Sequence, residues 1–238
     1  VTFVAPDDAA ALIAAASERT AAIIAEPIQG EGGIRPMSAE FASAINDVCS
    51  RTGTLYIADE VQTGLGRTGL PFYFEALGLR PDLISVGKAL GGGVPVGAAL
   101  LSERVSEAVS AGDHGSTYGG NLLGTRAAAF FLTQLMEGGL LEHVKTVGMH
   151  LERRLRAIAL KYPSITEVRG AGLMRGIQLN TDAMPIVDAA REEGLLVNRT
   201  DEKVVRLLPP LTIETAEIDR AAAMLDAVFA RVSQEVQV

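Results

Sequence analysis

The sequence has no tryptophan, a single cysteine and only 5% aromatic residues among its 238 positions. One cysteine cannot form an internal disulfide, so the fold must rest on its packed core. The chain suits a reducing compartment, and a cytoplasmic location is expected. Cys49 lies in a helix-patterned stretch and reads as a small buried hydrophobe. No apolar run approaches the roughly 18–20 residues of a membrane span, and AAAFFLTQLM is about half that. Positive charge is scarce too: 21 Lys and Arg stand against 29 Asp and Glu, a net charge of −8. With no basic run, neither nucleic acid nor an anionic membrane is an expected partner. His114, His143 and His150 lack metal-ligand spacing with one another or with Cys49, so no metal site is expected. The glycines at 91–93 form neither a GxxxxGK[ST] phosphate loop nor a strand-following GxGxxG, so nucleotide binding gets little support.

What is present is an alternation of two periodicities. AAIIAE (21–26), TLYIADE (54–60), DLISVGK (82–88) and VGAALL (96–101) read as buried strands. Between them SAEFASAINDVCSRTG reads as a helix with a serine to cap it and a glycine to stop it, and FYFEALG as a second helical piece. Strands alternating with helices predict an α/β sheet with crossover connections, whose ligands gather beyond the carboxyl ends of the strands. From about residue 140 the pattern changes. A long amphipathic helix carries Val147, Leu151, Leu155, Ile158 and Tyr162, with Pro163 expected to end it. Short strands follow at TEVRG, LMRGIQL, LLVN and VVRLLP, with a helix near 184–193 between them. A last helix shows Ile218, Ala222, Leu225, Phe229 and Val232 on one face. Two domains are expected, 1–139 and a smaller α+β unit over 140–238. The opening VTFVAPDD has no initial Met and a strand-like pattern, so the chain is expected to begin partway through a larger protein.

Three of the predicted strands end in chemistry. The first leads into AEPIQGEGG with Glu26 and Glu31, the second into ADEVQTGLGRTG with Asp59, Glu60 and Gln62, and the third ends at Lys88. Singly, each residue has a plain alternative: a solvated lysine, a turn-capping aspartate, a glutamine satisfying loop backbone, a surface arginine at 206. Together they point to one site. A lysine amine forms a Schiff base with a carbonyl, and with pyridoxal phosphate as that carbonyl a carboxylate is needed to keep the ring nitrogen protonated. Lys88 and Asp59 fit these two roles. A Schiff-base aldolase would account for Lys88 but leave Asp59 and Arg206 without a task.

The strings EPIQGEGG, DEVQTGLGRTG, GKALGGGVPVGA, HGSTYGGN, VRGAGLMRGIQL and VVRLLPPL, in that order, resemble the class III, pyridoxal-phosphate-dependent aminotransferases of fold type I, most of all their acetylornithine branch. The resemblance runs through nearly the whole chain. It implies part of the fold type I large domain over 1–139 and the family's small domain over 140–238. It implies that Lys88 bonds the cofactor and moves the proton between substrate and cofactor, that Asp59 holds the ring nitrogen, that Val61 packs on the ring and that Gln62 lies near its phenolic oxygen. Ser116 and Thr117 match the loop that reaches the cofactor phosphate of a neighbouring subunit, which implies a homodimer. Arg206 matches the clamp on the substrate α-carboxylate, and Glu31 the glutamate that pairs with it when no such carboxylate is bound. The implied reaction moves the δ-amino group of N-acetylornithine to 2-oxoglutarate, forming glutamate, in arginine biosynthesis. The alternatives are a related ω-aminotransferase (for ornithine, succinylornithine, succinyldiaminopimelate or 4-aminobutyrate) or a catalytically incomplete fragment. The family's amino-terminal portion, which holds the phosphate on a helix N-terminus, is expected to lie outside this chain. One departure stands out: GGN is followed by Leu122 where the family usually has proline, which should alter the start of the next helix.

Overall fold

The structure, a computed structural model, describes residues 1–235. In chain order its first elements are α1 (Ala9–Ala15), β1 (Ala22–Ala25), β2 (Ile28–Gln29), β3 (Arg35–Pro36), α2 (Ala39–Thr52), β4 (Leu55–Asp59), β5 (Leu83–Val86) and β6 (Ala98–Leu101). There follow α3 (Glu103–Ser106), α4 (Leu122–Met136), α5 (Leu140–Ala159), β7 (Ile165–Ala171), β8 (Met174–Leu179), α6 (Met184–Glu192), β9 (Asn198–Asp201), β10 (Val204–Leu207) and α7 (Thr215–Glu235). The chain divides into two compact units. The first comprises Val1–Pro27, Met37–Leu65 and Leu70–Gly138, and the second Ile28–Pro36, Gly66–Gly69 and Gly139–Val238.

In the first unit a four-stranded sheet runs in the order β1-β4-β5-β6. The first three strands are parallel and β6 is antiparallel to β5. The alternation of Tyr56 and Ala58 with half-buried neighbours follows from the two-residue period of a strand with one face on a core. That core is Leu12, Phe41, Ala42, Ala44, Ile45, Tyr56, Ala58 and Leu79, with Cys49 packed against it. Helix α2 starts where its sequence dictates. Ser38 accepts a hydrogen bond from Phe41 N at 3.1 Å, and Gly53, with φ +74°, closes the other end. At α4 the missing proline is made good by Asn121, whose side chain accepts from Gly124 N at 2.7 Å. Residues 1–5 form no regular structure, so VTFVAPDD is not a strand; it leads to Asp8, which caps α1. Strand β6, the last of this sheet, is exposed along all four residues rather than buried, and none of its side chains joins the core of the unit.

The second unit is an antiparallel sheet in the order β7-β8-β10-β9, with α5, α6 and α7 supplying its core. The expected apolar faces are buried: Val147, Leu151, Leu155 and Ile158 on α5, and Ile218, Ala222, Leu225 and Phe229 on α7. Helix α5 ends at Ala159, before Pro163. Tyr162 leaves the helix to stack on Phe229 at 5.5 Å and to donate its hydroxyl to Asp226. The strand expected at LLVN starts only at Asn198 and runs to Asp201, because its partner β10 sets the register from Arg206 backwards. The ribbon β2–β3 also belongs to this unit. No helix among the described residues is long and apolar enough to cross a membrane.

Candidate functional site

In the first unit the carboxyl ends of β1, β4 and β5 are neighbours in the sheet. Asp59 is the last residue of β4 and stands in register with Ser85 on β5. Ser85 Oγ donates to Asp59 Oδ1 at 3.1 Å and Val61 N donates to the same oxygen at 3.2 Å. Oδ2 takes no part in either bond, so the carboxylate is oriented while one oxygen is left to face a further donor. Val61 and Gln62 follow in a half-buried turn.

Lys88 is not the end of a buried strand. β5 stops at Val86, Gly87 is extended, and Lys88 opens a short 3-10 turn, Lys88–Gly91, with its side chain exposed. Its φ is +40°, a left-handed backbone that a non-glycine residue adopts at a cost of order 1 kcal/mol. The surroundings hold it there. Leu90 N bonds the Gly87 carbonyl, and a Cβ on Gly87 would lie 3.6 Å from Val61 Cγ1, which brings the Lys88 turn against the Asp59 loop. Gly91 is required by space, since a Cβ there would sit 2.8 Å from Val96 Cγ1.

Glu60 supports the Asp59–Gln62 turn from beneath. It is 1% exposed, accepts from Phe74 N at 2.7 Å through Oε1, and accepts the Thr63 hydroxyl through Oε2. Burial pushes its carboxyl above the ordinary carboxylate value, partly offset by the bonds from Thr63, Phe74 and Tyr73. Ser116 and Thr117 lie elsewhere in the unit, on a fully exposed loop. Ser116 lines an open pocket of about 340 Å³ with Pro95, Val96, Gly97 and Asn121, and neither Lys88 nor Asp59 contributes to it.

The second unit holds Glu31 and Arg206. Glu31 lies in the loop between β2 and β3 rather than at the end of β1, which stops at Ala25. Arg206, on β10, is not a surface cation. Its side chain is 10% exposed, and one amine of its guanidinium donates to Glu31 Oε1 at 2.7 Å and to the Gly30 carbonyl at 3.2 Å. Its Nε donates to Asn198 Oδ1 at 3.2 Å. The Glu31 side chain is 72% exposed, so this pair joins a buried cation to a carboxylate that lies largely in water. The loop beneath it is fixed. Ile34, fully buried at φ +52°, covers Gly170 and Gly176, where a Cβ would come within 2.9 and 3.0 Å of it. Arg169 donates to the Gly33 and Ile34 carbonyls, each at 3.0 Å.

The structure thus joins Asp59 and Val61 to the turn that carries Lys88, pairs Glu31 with Arg206 in the other unit, and leaves Ser116 and Thr117 on a separate loop. Ser85, Asn198 and Thr200 were not singled out from the sequence. Ser85 is a lone hydroxyl in an apolar run, which is a weak signal, and the other two depend on a strand register that no local pattern reveals.

The profile of the aminotransferase class-III family matches residues 4–229. The chain is 43% identical over 230 residues to the acetylornithine aminotransferase of Methanocaldococcus jannaschii, covering 96% of this chain and 57% of that protein. It thus spans a little over half the length of this curated relative. Among solved structures it resembles N-acetylornithine aminotransferase from Stenotrophomonas maltophilia with a TM-score of 0.87 and 32% identity, over 98% of this chain and 63% of that one. It also resembles ornithine aminotransferase from Toxoplasma gondii, TM-score 0.92 and 32% identity, over 100% of this chain and 57% of that one. That structure, crystallised in the presence of oxidised glutathione, has partial occupancy of PLP at its active site. The fold of the present chain is that of the fold type I PLP transferases, α/β with a mixed sheet.

Proposed function

The chain belongs to the class-III aminotransferase family, and we propose that it serves a pyridoxal-phosphate-dependent transamination in which the δ-amino group of N-acetylornithine passes to 2-oxoglutarate, leaving the corresponding semialdehyde and glutamate. The observation that carries this reading is the strained, exposed Lys88 set against the turn of an oriented Asp59. Strain of this kind gathers where function holds the backbone. The donor set fits the cofactor: an amine for its aldehyde carbon, a carboxylate oxygen for its ring nitrogen and an apolar Val61 for a ring face. Bound there, the cofactor would draw electrons from the substrate carbon that bears the migrating amine.

Each residue then has a task of its own. Lys88 would hold the cofactor through its amine and would take and return the proton at the substrate carbon that bears the migrating amine. Asp59, oriented by Ser85 and the Val61 amide, keeps the ring nitrogen protonated. Gln62 would lie near the phenolic oxygen. Arg206 binds the α-carboxylate of glutamate, and Glu31 covers that charge during the half-reaction with the acylated substrate. Ser116 and Thr117 would serve the phosphate in a neighbouring copy, which makes the working state a homodimer. The exposed Leu122, Leu123, Phe130 and Met136 on α4 agree with a covered face there. In domain terms we read 1–139 as part of the cofactor-binding domain and 140–238 as the small domain, in a cytoplasmic enzyme of arginine biosynthesis. The likeness to ornithine aminotransferases favours ornithine as the second substrate to try.

The test starts with the chain incubated with pyridoxal phosphate, reduced with borohydride and mapped by peptide mass spectrometry. A pyridoxyl group on Lys88, absent from Lys88→Ala, is the expected result. Glutamate release from 2-oxoglutarate with N-acetylornithine, ornithine and 4-aminobutyrate then ranks the donors. An adduct spread over other lysines, unchanged in Lys88→Ala, would sink the reading.

A further inference from the structure

The strand β9 sits beside both halves of the Glu31–Arg206 pair. Its register with β10 runs Arg206 to Asn198 and Val205 to Arg199, and then slips so that Val204 faces Asp201. Thr200 is the residue left over, a β-bulge, and a bulge of this kind re-aims its side chain out of the ladder. The Thr200 hydroxyl lies 2.8 Å from the Gly30 carbonyl and 2.9 Å from that of Glu31, so its one proton ties down the backbone that carries Glu31. Two residues away Asn198 Oδ1 accepts from Arg206 Nε and fixes the plane of the guanidinium. One strand therefore holds the cation through its side chain and the anion through its main chain.

We infer that Thr200 and Asn198 are positioning residues that set how readily Glu31 yields Arg206 to a substrate carboxylate, and so set the balance between substrates whose reacting carbon bears a carboxylate and those whose reacting amine is distal to it. The inference rests on the reading of Arg206 as the carboxylate clamp. With the Glu31 backbone tethered, only its exposed side chain has to swing, and the pair re-forms readily when the carboxylate leaves. Untethered, Glu31 spends less time on Arg206, and an external carboxylate meets less competition. Loss of Asn198 acts the opposite way: the guanidinium loses the partner that aims it, and every carboxylate binds less well.

The test follows the Arg206 Nε–H signal by NMR in the nitrogen-15-labelled chain, assigned by its loss in Arg206→Lys, during titration with L-glutamate. Thr200→Val should tighten L-glutamate roughly threefold to tenfold, one net hydrogen bond expressed as an equilibrium ratio. Thr200→Ser should restore the original affinity, and Asn198→Leu should weaken binding several-fold. A purely structural role would move both variants in the same direction. If the valine variant does not fold, Thr200→Ala carries the same expectation. Glutamate affinity in the Thr200 variants equal to that of the unaltered chain, with the Arg206 signal still responding, overturns this inference alone. An Arg206 signal indifferent to L-glutamate overturns the clamp and this inference together.

Discussion

Removing the Glu60 carboxyl should damage the turn that presents Asp59, Val61 and Gln62 more than any substitution on its exposed side. In Glu60→Ala three donors lose an acceptor at once, the Phe74 and Tyr73 amides and the Thr63 hydroxyl. At about 0.5–1.5 kcal/mol net for each of the three hydrogen bonds lost, the loss is about 2–5 kcal/mol, against a total stability of about 5–15 kcal/mol for a domain. Glu60→Gln keeps one acceptor oxygen and turns an NH2 towards the other donor, so it should cost less, about 1–2 kcal/mol. The pH dependence separates charge from geometry. Burial raises the folded-state pKa of Glu60 above its ordinary 4.5, so protonation favours the folded state. That contribution is fully present below the unfolded value and is lost as pH rises through the folded one. The penalty of Glu60→Gln should therefore shrink as pH rises above that ordinary value of 4.5. Urea unfolding of the three proteins at a series of pH values measures both effects. A cost below about 0.5 kcal/mol for Glu60→Ala, less than one typical net hydrogen bond, or a Gln penalty that grows with pH, would refute the reasoning.

Gly172→Ala should cost about 3–5 kcal/mol, read as a fall in thermal midpoint, because it combines an unfavourable backbone with overpacking. Its φ is +52° and the new Cβ would lie 2.5 Å from the Thr68 carbonyl carbon, which is backbone and has nowhere to go. Glu152 opposes its own burial but is held below the usual carboxylate range by its bond to Arg156 and the charge of Arg175, whose guanidinium it meets at 2.8 Å. Its contribution is present above the unfolded pKa and lost as pH falls through the folded one. The destabilisation by Glu152→Gln should thus be clear at neutral pH and fade in acid, as thermal melts at the two pH values would show.

Much of this protein could be read from its amino acids because the relevant physics is local. Ser38 and Gly53 bracket α2 wherever it packs, since a cap and a left-handed stop act within a few residues. The apolar stripes of α5 and α7 state which faces must be buried, and the runs at 22–25, 55–59 and 83–86 state where strands lie. Lys88, Asp59 and Arg206 were legible as residue types whose chemistry makes sense together. Folding in three dimensions decided the rest. That Lys88 leaves the strand at φ +40° depends on the packing of Gly87, Gly91 and Val96. That Glu31 pairs with Arg206 depends on the loop between β2 and β3 closing where Ile34 meets two bare glycines in β7 and β8. That Thr200 faces Glu31 depends on one slipped pair between β9 and β10. Register and close approach arise between segments distant in sequence, so no window along the chain contains them.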